Sequence, residues 1–262
     1  MAFKFSGIIY YLRSLPTLVF GIKNRRGGLS LMFSKSTHPR LIRLADGSSF
    51  YVRSLMDVWV LKETCLDRQY ETFGVSIQDG WTVLDIGGGW GDFAVSIARR
   101  NPNCRVIAFE PFPPSIELFE ENQRINGVSN VELVKAAVGK LSGSIHLSTR
   151  NREAVQLSTA EAQTGDGLTV ASLTLIDAFD HLKISQCDFL KMDCEGGEYD
   201  ILFSTPEVVL GKIQRICMET HDEITQYSHN DIVEFLKKHG FQVRYEANPV
   251  HSSLGMLYAE RI

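Results

Sequence analysis

This 262-residue chain lacks an apolar run long enough to cross a membrane. A membrane-spanning helix needs about 20 consecutive apolar residues, but Arg13 and Pro16 interrupt the apolar N-terminal stretch FKFSGIIYYLRSLPTLVFGIKNRR. A small-residue cleavage site of the signal-peptide kind is also missing. We therefore expect this stretch to form a packed helix or a pair of turns. Because cationic residues such as Lys4 and Lys23 flank it, weak contact with a membrane surface is the alternative.

The cysteines do not form the pairs that hold disulfide bridges or zinc. There are five of them, an odd number, and no Cys-x-x-Cys spacing occurs, which argues against a disulfide framework and against a zinc ribbon. Such usage is typical of the reducing cytoplasm, which we predict as the compartment of this protein. Long basic runs are missing too, and a net charge of −4 with a pI near 6.0 gives no support for nucleic-acid binding.

The composition is otherwise ordinary for a globular protein, with 44% hydrophobic and 22% charged residues. Residues 1–75 are predicted to form an N-terminal extension of helix and hairpin before a main domain at 76–262. Within the extension, residues 38–53 indicate two short strands around a turn at Asp46-Gly47. Residues 57–73 fit an amphipathic helix.

The main domain alternates between strand and helix patterns. Strands are predicted at WTVLDIG, CRVIAFEP, VELVKAAVG, CDFLKMD, IQRICMET, FQVRYEA and GMLYAERI. One intervening helix is predicted to be capped by Ser115 and ended by Gly127, and a later one to be capped by Asn230 or Asp231. Short β-segments around a polar loop at 160–167 interrupt the alternation. The pattern predicts an α/β protein with a mostly parallel sheet, in which ligands bind at the carboxyl ends of the strands.

The first strand of the main domain ends in the glycine-rich stretch LDIGGGWGD, which has the pattern Asp-x-Gly-x-Gly-x-Gly from Asp85 to Gly91. Such glycines let the backbone turn sharply and approach a ligand closely. The second strand ends in Glu110, an acid placed to bind both hydroxyls of a ribose. Together these features predict a nucleoside-containing ligand. The alternative is a tight strand-to-helix turn beside a capping acid.

Acidic residues and a histidine follow the next two candidate strands. Asp193 and Glu195 come after a buried strand and alternate by two, as do Glu219 and His221, so adjacent strands could bring all four side chains together. If the reaction needs a base, His221 is the first choice because its ordinary pKa lies closest to neutrality. Asp193 could serve instead or orient the histidine.

Other interpretations of these acids stay open. Glu195 could simply satisfy free backbone N–H groups at a helix start, and Glu198 and Asp200 fit charges of the first helical turns. The set of Asp193, Glu195, Glu219 and His221 could also bind a divalent metal. Because the spacing is generic, we expect no metal.

The order and spacing of these motifs resemble the FkbM-type family of class I S-adenosylmethionine-dependent methyltransferases. The stretches VLDIGGGWGDFAVSIA, VIAFEPFPPSIELFEENQRINGV, VELVKAAVG, LTLIDAF and DFLKMDCEGGEYDIL carry the resemblance, which covers roughly residues 45–260. The most specific element is the pattern Lys-x-Asp-x-Glu-Gly from Lys191 to Gly196. The resemblance implies a Rossmann-like sheet of about seven strands with helices on both faces.

The resemblance also implies roles for individual residues around bound S-adenosylmethionine. Asp85 would orient the glycine loop, Glu110 would bind the ribose hydroxyls, and Asp193 would lie near the transferred methyl group. The other residues implied to contact the cofactor are Gly87, Gly88, Gly89, Gly91, Pro111, Phe112, Ala136 and Ala137. Residues of the extension implied to cover the cofactor, or else to be ordinary helix surface, are Asp57, Glu63 and Tyr70.

The function implied by the resemblance is methylation of a hydroxyl group on a small molecule, a sugar or glycan, or a secondary metabolite. The (Asp/Asn/Ser)-Pro-Pro-(Tyr/Phe) element of enzymes that methylate amino groups of DNA bases is missing after the fourth strand, where DCEGGE stands, so no nucleic acid is expected. A non-catalytic adenosylmethionine- or nucleotide-binding module and an NAD-linked oxidoreductase are the alternatives. The segment 143–170, the extension and His251 are expected to shape the acceptor pocket. Packing is the role predicted for Trp59, Trp81 and Trp90.

Overall fold

The computed structural model describes residues 5–24, 38–148 and 167–262. Its helices are α1 (Phe5–Gly21), α2 (Leu55–Leu61), α3 (Gln69–Phe73), α4 (Asp92–Arg100), α5 (Pro113–Asn126), α6 (Leu175–His181), α7 (Gly197–Ser204), α8 (Glu207–Leu210) and α9 (His229–Lys238), with a π-helical turn at Lys62–Leu66. Its strands are β1 (Arg40–Arg43), β2 (Ser49–Val52), β3 (Thr82–Ile86), β4 (Arg105–Phe109), β5 (Val131–Val134), β6 (Ala137–Val138), β7 (Gly143–Ser148), β8 (Gly167–Leu173), β9 (Phe189–Met192), β10 (Arg215–His221), β11 (Phe241–Ala247) and β12 (Leu254–Arg261).

The main sheet has seven strands in the order β11-β12-β10-β9-β3-β4-β5. The strands from β10 to β5 pair in parallel, and only β12 runs antiparallel to both of its neighbours. This arrangement confirms the predicted α/β fold with a mostly parallel sheet. It places the carboxyl ends of β3, β4, β9 and β10 along one edge, where a ligand site is expected.

Apolar side chains cover both faces of this sheet, as a parallel sheet requires. Val83 and Val106 belong to the core on one face, whereas Leu84 and Ile107 belong to the core on the other. The first core also contains residues of the predicted extension, including Phe50. The predicted extension therefore shares one apolar core with the face of the sheet that carries Val83 and Val106.

The segment VELVKAAVG does not form one strand. Residues Val131–Val134 join the main sheet, whereas Ala137–Val138 pair with β8 in a separate three-stranded sheet of order β6-β8-β7. The chain therefore leaves the edge of the main sheet between these two segments. Most of the predicted polar loop at 160–167, and part of the short β-segments predicted around it, lie outside the described residues.

The hairpin predicted at 38–53 is present, since β1 and β2 pair antiparallel and Gly47 adopts a φ of 90° in the turn. The single helix predicted at 57–73 is wrong. It divides into α2, the π-helical turn and α3, because the N–H of Asp67 bonds the carbonyl of Lys62 and Arg68 turns left-handed with a φ of 51°. A π-helical turn inserts one residue into a helix and is frequent at functional sites.

Two predicted helix caps are also wrong. Helix α5 begins after Phe112, before Ser115, because Pro113 and Pro114 occupy the first helical positions. Proline suits these positions since it has a preset φ and no N–H to satisfy. Helix α9 is capped by Ser228 through a capping box with Asp231. The predicted end of α5 at Gly127 is confirmed by its left-handed φ of 64°.

The apolar N-terminal stretch forms one helix, α1, that continues through Pro16. Its buried side includes Ser14, while Leu15 and Phe20 are exposed. No helix among the described residues is long and apolar enough to span a bilayer. Contact of α1 with a membrane surface stays a prediction.

Candidate active site

The glycine loop after β3 lies against the end of β9. Gly87, Gly89 and Gly91 adopt φ values of 79°, 53° and 87°, a region that favours glycine. A Cβ atom on Gly87 would collide with the carbonyl oxygen of Asp193. The loop is therefore a cradle of bare backbone at the strand ends, and its close approach to β9 explains why glycine stands at position 87.

A buried ion pair lies beneath this loop. The Nζ atom of Lys191 is 2.9 Å from Oδ1 of Asp85 and donates to the carbonyl of Gly87 at 2.8 Å. Burial acts to lower the pKa of Lys191, but the charges of Asp85 and Asp193 outweigh it and raise that pKa. Lys191 therefore stays a cation, which explains a lysine within a buried strand, and it ties β9 to the loop.

Glu110 lies across the mouth of the glycine loop. Its Oε2 accepts the N–H of Gly89 at 2.7 Å and its Oε1 accepts the N–H of Phe112 at 2.8 Å. Burial raises the pKa of Glu110 to about 7, although both N–H groups act to lower it. Each carboxylate oxygen retains a further lone pair. The carboxylate and the bare glycine backbone therefore fit the ribose of a bound nucleoside.

Asp92 is a second acid at the loop that sequence reasoning missed. It is the first residue of α4, directly after Gly91. Burial raises its pKa to about 7, while a side-chain hydrogen bond from Thr64 in the π-helical turn acts to lower it. The only sequence feature that indicates this role of Asp92 is its position immediately after the last glycine of the loop. Asp92 joins the extension to the loop.

The structure brings together the four residues predicted at the next strand ends. Strands β9 and β10 are parallel neighbours, with Met192 paired to Met218. The Nε2 atom of His221 lies 3.5 Å from Oε2 of Glu195 and 4.0 Å from Oδ1 of Asp193. One donor atom from each of Asp193, Glu219 and His221 lies within 4.8 Å of the others. We call Asp193, Glu195, Glu219 and His221 the acid–histidine cluster; their chemical roles stay predictions.

The prediction that Glu198 is a surface charge at the start of a helix is wrong. Its side chain is completely buried and lies 3.2 Å from Nδ1 of His221. Its two oxygens accept the N–H of Cys194 at 2.7 Å and the N–H of Gly196 at 2.9 Å. The chain can fold back in this way because Gly196 adopts a φ of 96° before α7. Asp200, in contrast, is exposed as predicted.

The crowding of charges shifts several pKa values in the acid–histidine cluster. Burial acts to lower the pKa of His221, but its contact with Glu198 and the charges of Asp193 and Glu195 raise it to about 10. Burial and the charge of Asp193 raise the pKa of Glu219 to about 8 and that of Glu195 to about 7. Burial and the mutual influence of these charges therefore govern how readily the cluster gains or loses a proton.

The extension contributes side chains to the same site. The hydroxyl of Tyr70 donates to Oδ2 of Asp193 at 3.0 Å, and the indole N–H of Trp59 donates to Glu63 at 2.8 Å. The charge of Glu63 also acts on Glu219. Asp57 instead accepts the N–H of Arg53 at the start of α2 and is buried there. Tyr70 and Glu63 therefore reach the acid–histidine cluster, whereas Asp57 holds a helix end.

The remaining candidates have less specific surroundings. Ala136 and Ala137 are buried after β5, and Pro111 and Phe112 are half-buried after β4. Trp90 packs edge-on to Phe50, as predicted for a packing residue. The guanidinium of Arg215 stacks 4.6 Å from the ring centre of Trp81. His251 is exposed in the loop between β11 and β12.

The seven-stranded sheet, the glycine loop after its first strand and the acid at the end of the next strand are features of the Rossmann-like α/β class. A sequence model of the family described as Methyltransferase FkbM domain matches residues 78–243, more than half of the chain. The protein therefore belongs to the FkbM methyltransferase family, as its motifs predicted. Membership indicates S-adenosylmethionine as the methyl donor.

Individual relatives are distant in sequence. The 31-O-demethyl-FK506 methyltransferase FkbM of Streptomyces tacrolimicus is 24% identical over 239 residues, covering 80% of this chain and 91% of the relative. AMB antimetabolite synthetase AmbE of Pseudomonas aeruginosa is 24% identical over 255 residues, covering 78% of this chain but only 12% of that protein's length. Among solved structures, magnesium protoporphyrin IX methyltransferase of Synechocystis PCC 6803 with bound SAM superposes with a TM-score of 0.46 at 13% identity, covering 79% of this chain and 83% of that chain.

Proposed function

We propose that this protein is an S-adenosylmethionine-dependent O-methyltransferase whose acceptor is a hydroxyl group of a small molecule, a sugar or glycan, or a secondary metabolite. The observation that carries the proposal is the close approach of the glycine loop to the end of β9, because the acid–histidine cluster begins at that strand end. One relative of this chain is named 31-O-demethyl-FK506 methyltransferase FkbM, and this name supports a hydroxyl acceptor.

The cradle provides the groups that a bound methyl donor needs. S-adenosylmethionine supplies a methyl group on a positively charged sulfur. Glu110 would accept the hydroxyls of its ribose, and the backbone of Gly87–Gly91 would lie along it. Lys191, paired with Asp85, donates to the carbonyl of Gly87 and so holds that backbone in place.

The acid–histidine cluster provides groups that can take a proton from the acceptor. An alcohol is a poor nucleophile while protonated, so its oxygen needs a proton acceptor within hydrogen-bond reach. Three carboxylates converge around His221 beside the glycine loop, and the hydroxyl of Tyr70 in the extension donates to one of them.

Transfer of a labelled methyl group from S-adenosylmethionine to a panel of polyhydroxylated small molecules and sugars tests the proposal. We expect a product methylated on oxygen, and a loss of about 100-fold or more in turnover for Glu219→Gln, the range typical of lost proton-transfer groups. Asp200→Asn on the exposed side of α7 is the matched control and should keep full turnover. Methylation on nitrogen or carbon only, or cofactor binding without transfer to any acceptor, would contradict the hydroxyl assignment.

A further inference from the structure

Three side chains of the acid–histidine cluster are arranged as a set of metal donors. Asp193, Glu219 and His221 each offer one oxygen or nitrogen atom, and these atoms lie within 4.8 Å of one another. Donors about 2.1 Å from a shared cation are about 3.0 Å apart at right angles and about 4.2 Å apart when opposed. Movements of about 1 Å or less by each donor atom would therefore bring the three side chains to these distances.

The orientation of His221 is the second observation that points to a cation. Its side chain is only 5% exposed. Its Nε2 faces the carboxylates of Asp193 and Glu195 at 4.0 Å and 3.5 Å, which is longer than a hydrogen bond. When His221 is neutral, Nε2 directs its lone pair toward the same carboxylates that would share a cation with it, as a metal ligand does.

Glu198 supplies the outer support that metal-binding histidines have. A ligating histidine usually contacts a carboxylate or carbonyl through its other ring nitrogen, and this contact fixes the tautomer and the ring orientation. Here Nδ1 of His221 lies 3.2 Å from Glu198. Glu198 is itself anchored by the N–H groups of Cys194 and Gly196. The turn at Gly196 buries Glu198 beside Nδ1 of His221. The opposite ring nitrogen, Nε2, therefore faces the other acids of the cluster.

The two carboxylates are also available to a cation. Tyr70 occupies Oδ2 of Asp193, which leaves Oδ1 on the side of His221. The charges of Asp193, Glu63 and Glu195 act against the ionisation of Glu219, and that of His221 favours it. The cation of Lys191 is already paired with Asp85. A divalent cation would relieve the repulsion among these carboxylates.

We propose that Asp193, Glu219 and His221 bind a first-row divalent cation such as Mn²⁺, with Glu198 positioning the histidine. Two carboxylates and one imidazole suit this class of metal and leave coordination positions open. An acceptor hydroxyl bound at an open position would be held and acidified by the cation. This role rests on the proposed methyl transfer, whereas binding of the cation does not. The inference gives His221 a ligand role in place of the base role predicted from sequence.

The site is tested by titrating the chelator-treated full chain with Mn²⁺. The free Mn²⁺ is measured at each step by its electron paramagnetic resonance signal. We expect one Mn²⁺ per chain, and affinity reduced about tenfold or more in Glu219→Gln, because even outer-shell partners of metal ligands are worth 10–100-fold. Asp200→Asn is the control and should bind Mn²⁺ like the unmodified chain. Glu219→Gln removes a like charge, so we expect its melting temperature without metal to be unchanged or raised.

Two results would overturn the metal site: no saturable binding of Mn²⁺ at millimolar concentrations, or binding of Mn²⁺ that Glu219→Gln leaves unchanged. S-adenosylhomocysteine binding, measured by calorimetry on the same samples, separates this failure from a failure of the proposed function. A chain that binds S-adenosylhomocysteine but no Mn²⁺ contradicts the metal site alone. A chain that binds Mn²⁺ but not S-adenosylhomocysteine contradicts the proposed function alone.

Discussion

At the scale of single residues, the site depends on charges that are buried in partnership with one another. Lys191 lies in a strand with no other polar residue, and its only carboxylate contact within ion-pair distance among the described residues is Asp85. Removing one member of a buried ion pair leaves the other charge uncompensated, which is far more costly than replacing both. The pair therefore contributes order to the glycine loop more than net stability.

We expect Lys191→Met to lower the free energy of unfolding by about 3–5 kcal/mol, because Asp85 would remain buried without its cation. The double variant Lys191→Met with Asp85→Leu should recover most of that loss. Urea unfolding followed by circular dichroism measures both. A double variant as unstable as the single one would show that the pair is a net source of stability.

The raised pKa of Glu110 leads us to expect that cofactor affinity depends on pH. Its pKa is raised to about 7 by burial, and a carboxylate accepts hydroxyl hydrogens best when ionised. Below about pH 7 the proton must leave before the ribose binds, so affinity should fall toward about tenfold per pH unit. Calorimetry with S-adenosylhomocysteine between pH 5.5 and pH 8.5 measures this. The Glu110→Gln variant should bind S-adenosylhomocysteine more weakly, with an affinity that does not change over this pH range. An equally steep pH dependence in that variant would mean that a group other than Glu110 binds the proton.

The sequence could predict which residues meet at the site but not what each of them faces. Spacing by two on adjacent strands was enough to place Glu219 and His221 together. Glu198 was assigned to the surface because an acid in a first helical turn usually is there. Its burial follows from the left-handed Gly196, which no local pattern announces. Asp92 escaped notice because its partner, Thr64, is distant in sequence.

At the scale of elements, the site is made by a loop and a strand end that nearly touch. Gly87 and Gly80 both adopt left-handed φ values, but a side chain on Gly80 would meet open space. The two positions therefore separate the cost of backbone strain from the cost of close approach. The left-handed region costs a non-glycine residue about 1–2 kcal/mol.

We expect Gly80→Ala to destabilise the protein by about 1–2 kcal/mol and to leave S-adenosylhomocysteine affinity unchanged. Gly87→Ala should cost more and weaken binding at least about tenfold, since the loop must move away from Asp193. Thermal unfolding and calorimetry on both variants measure the difference. Equal effects of the two substitutions would mean that the contact with β9 has no part in the cradle.

The elements themselves were largely predictable, with informative exceptions. The alternation of apolar strands and amphipathic helices was enough to predict the sheet and most helices. The helix predicted at 57–73 was wrong because hydrophobic periodicity does not register one inserted residue, and this π-helical turn carries Glu63 and Thr64 toward the site. The early start of α5 was signalled by Pro113-Pro114, a stronger cue than Ser115.

At the scale of the whole molecule, the extension and the sheet share one core and one site. Apolar residues of the hairpin and α2 pack with those of β3 and α4, while Tyr70 reaches Asp193 from above. The fold could be predicted because alternation and strand-end motifs are local in sequence. The acceptor pocket could not, because it is assembled from segments whose contacts form only after folding.

The central claim is that this cradle binds S-adenosylmethionine rather than a dinucleotide, and calorimetric titration tests it most directly. We expect one S-adenosylhomocysteine bound per chain and no heat of binding with NAD. Glu110→Ala should weaken S-adenosylhomocysteine about tenfold or more, because a hydrogen bond to a charged group is worth about 1.5–3 kcal/mol. Binding of NAD together with silence toward S-adenosylhomocysteine would contradict the account.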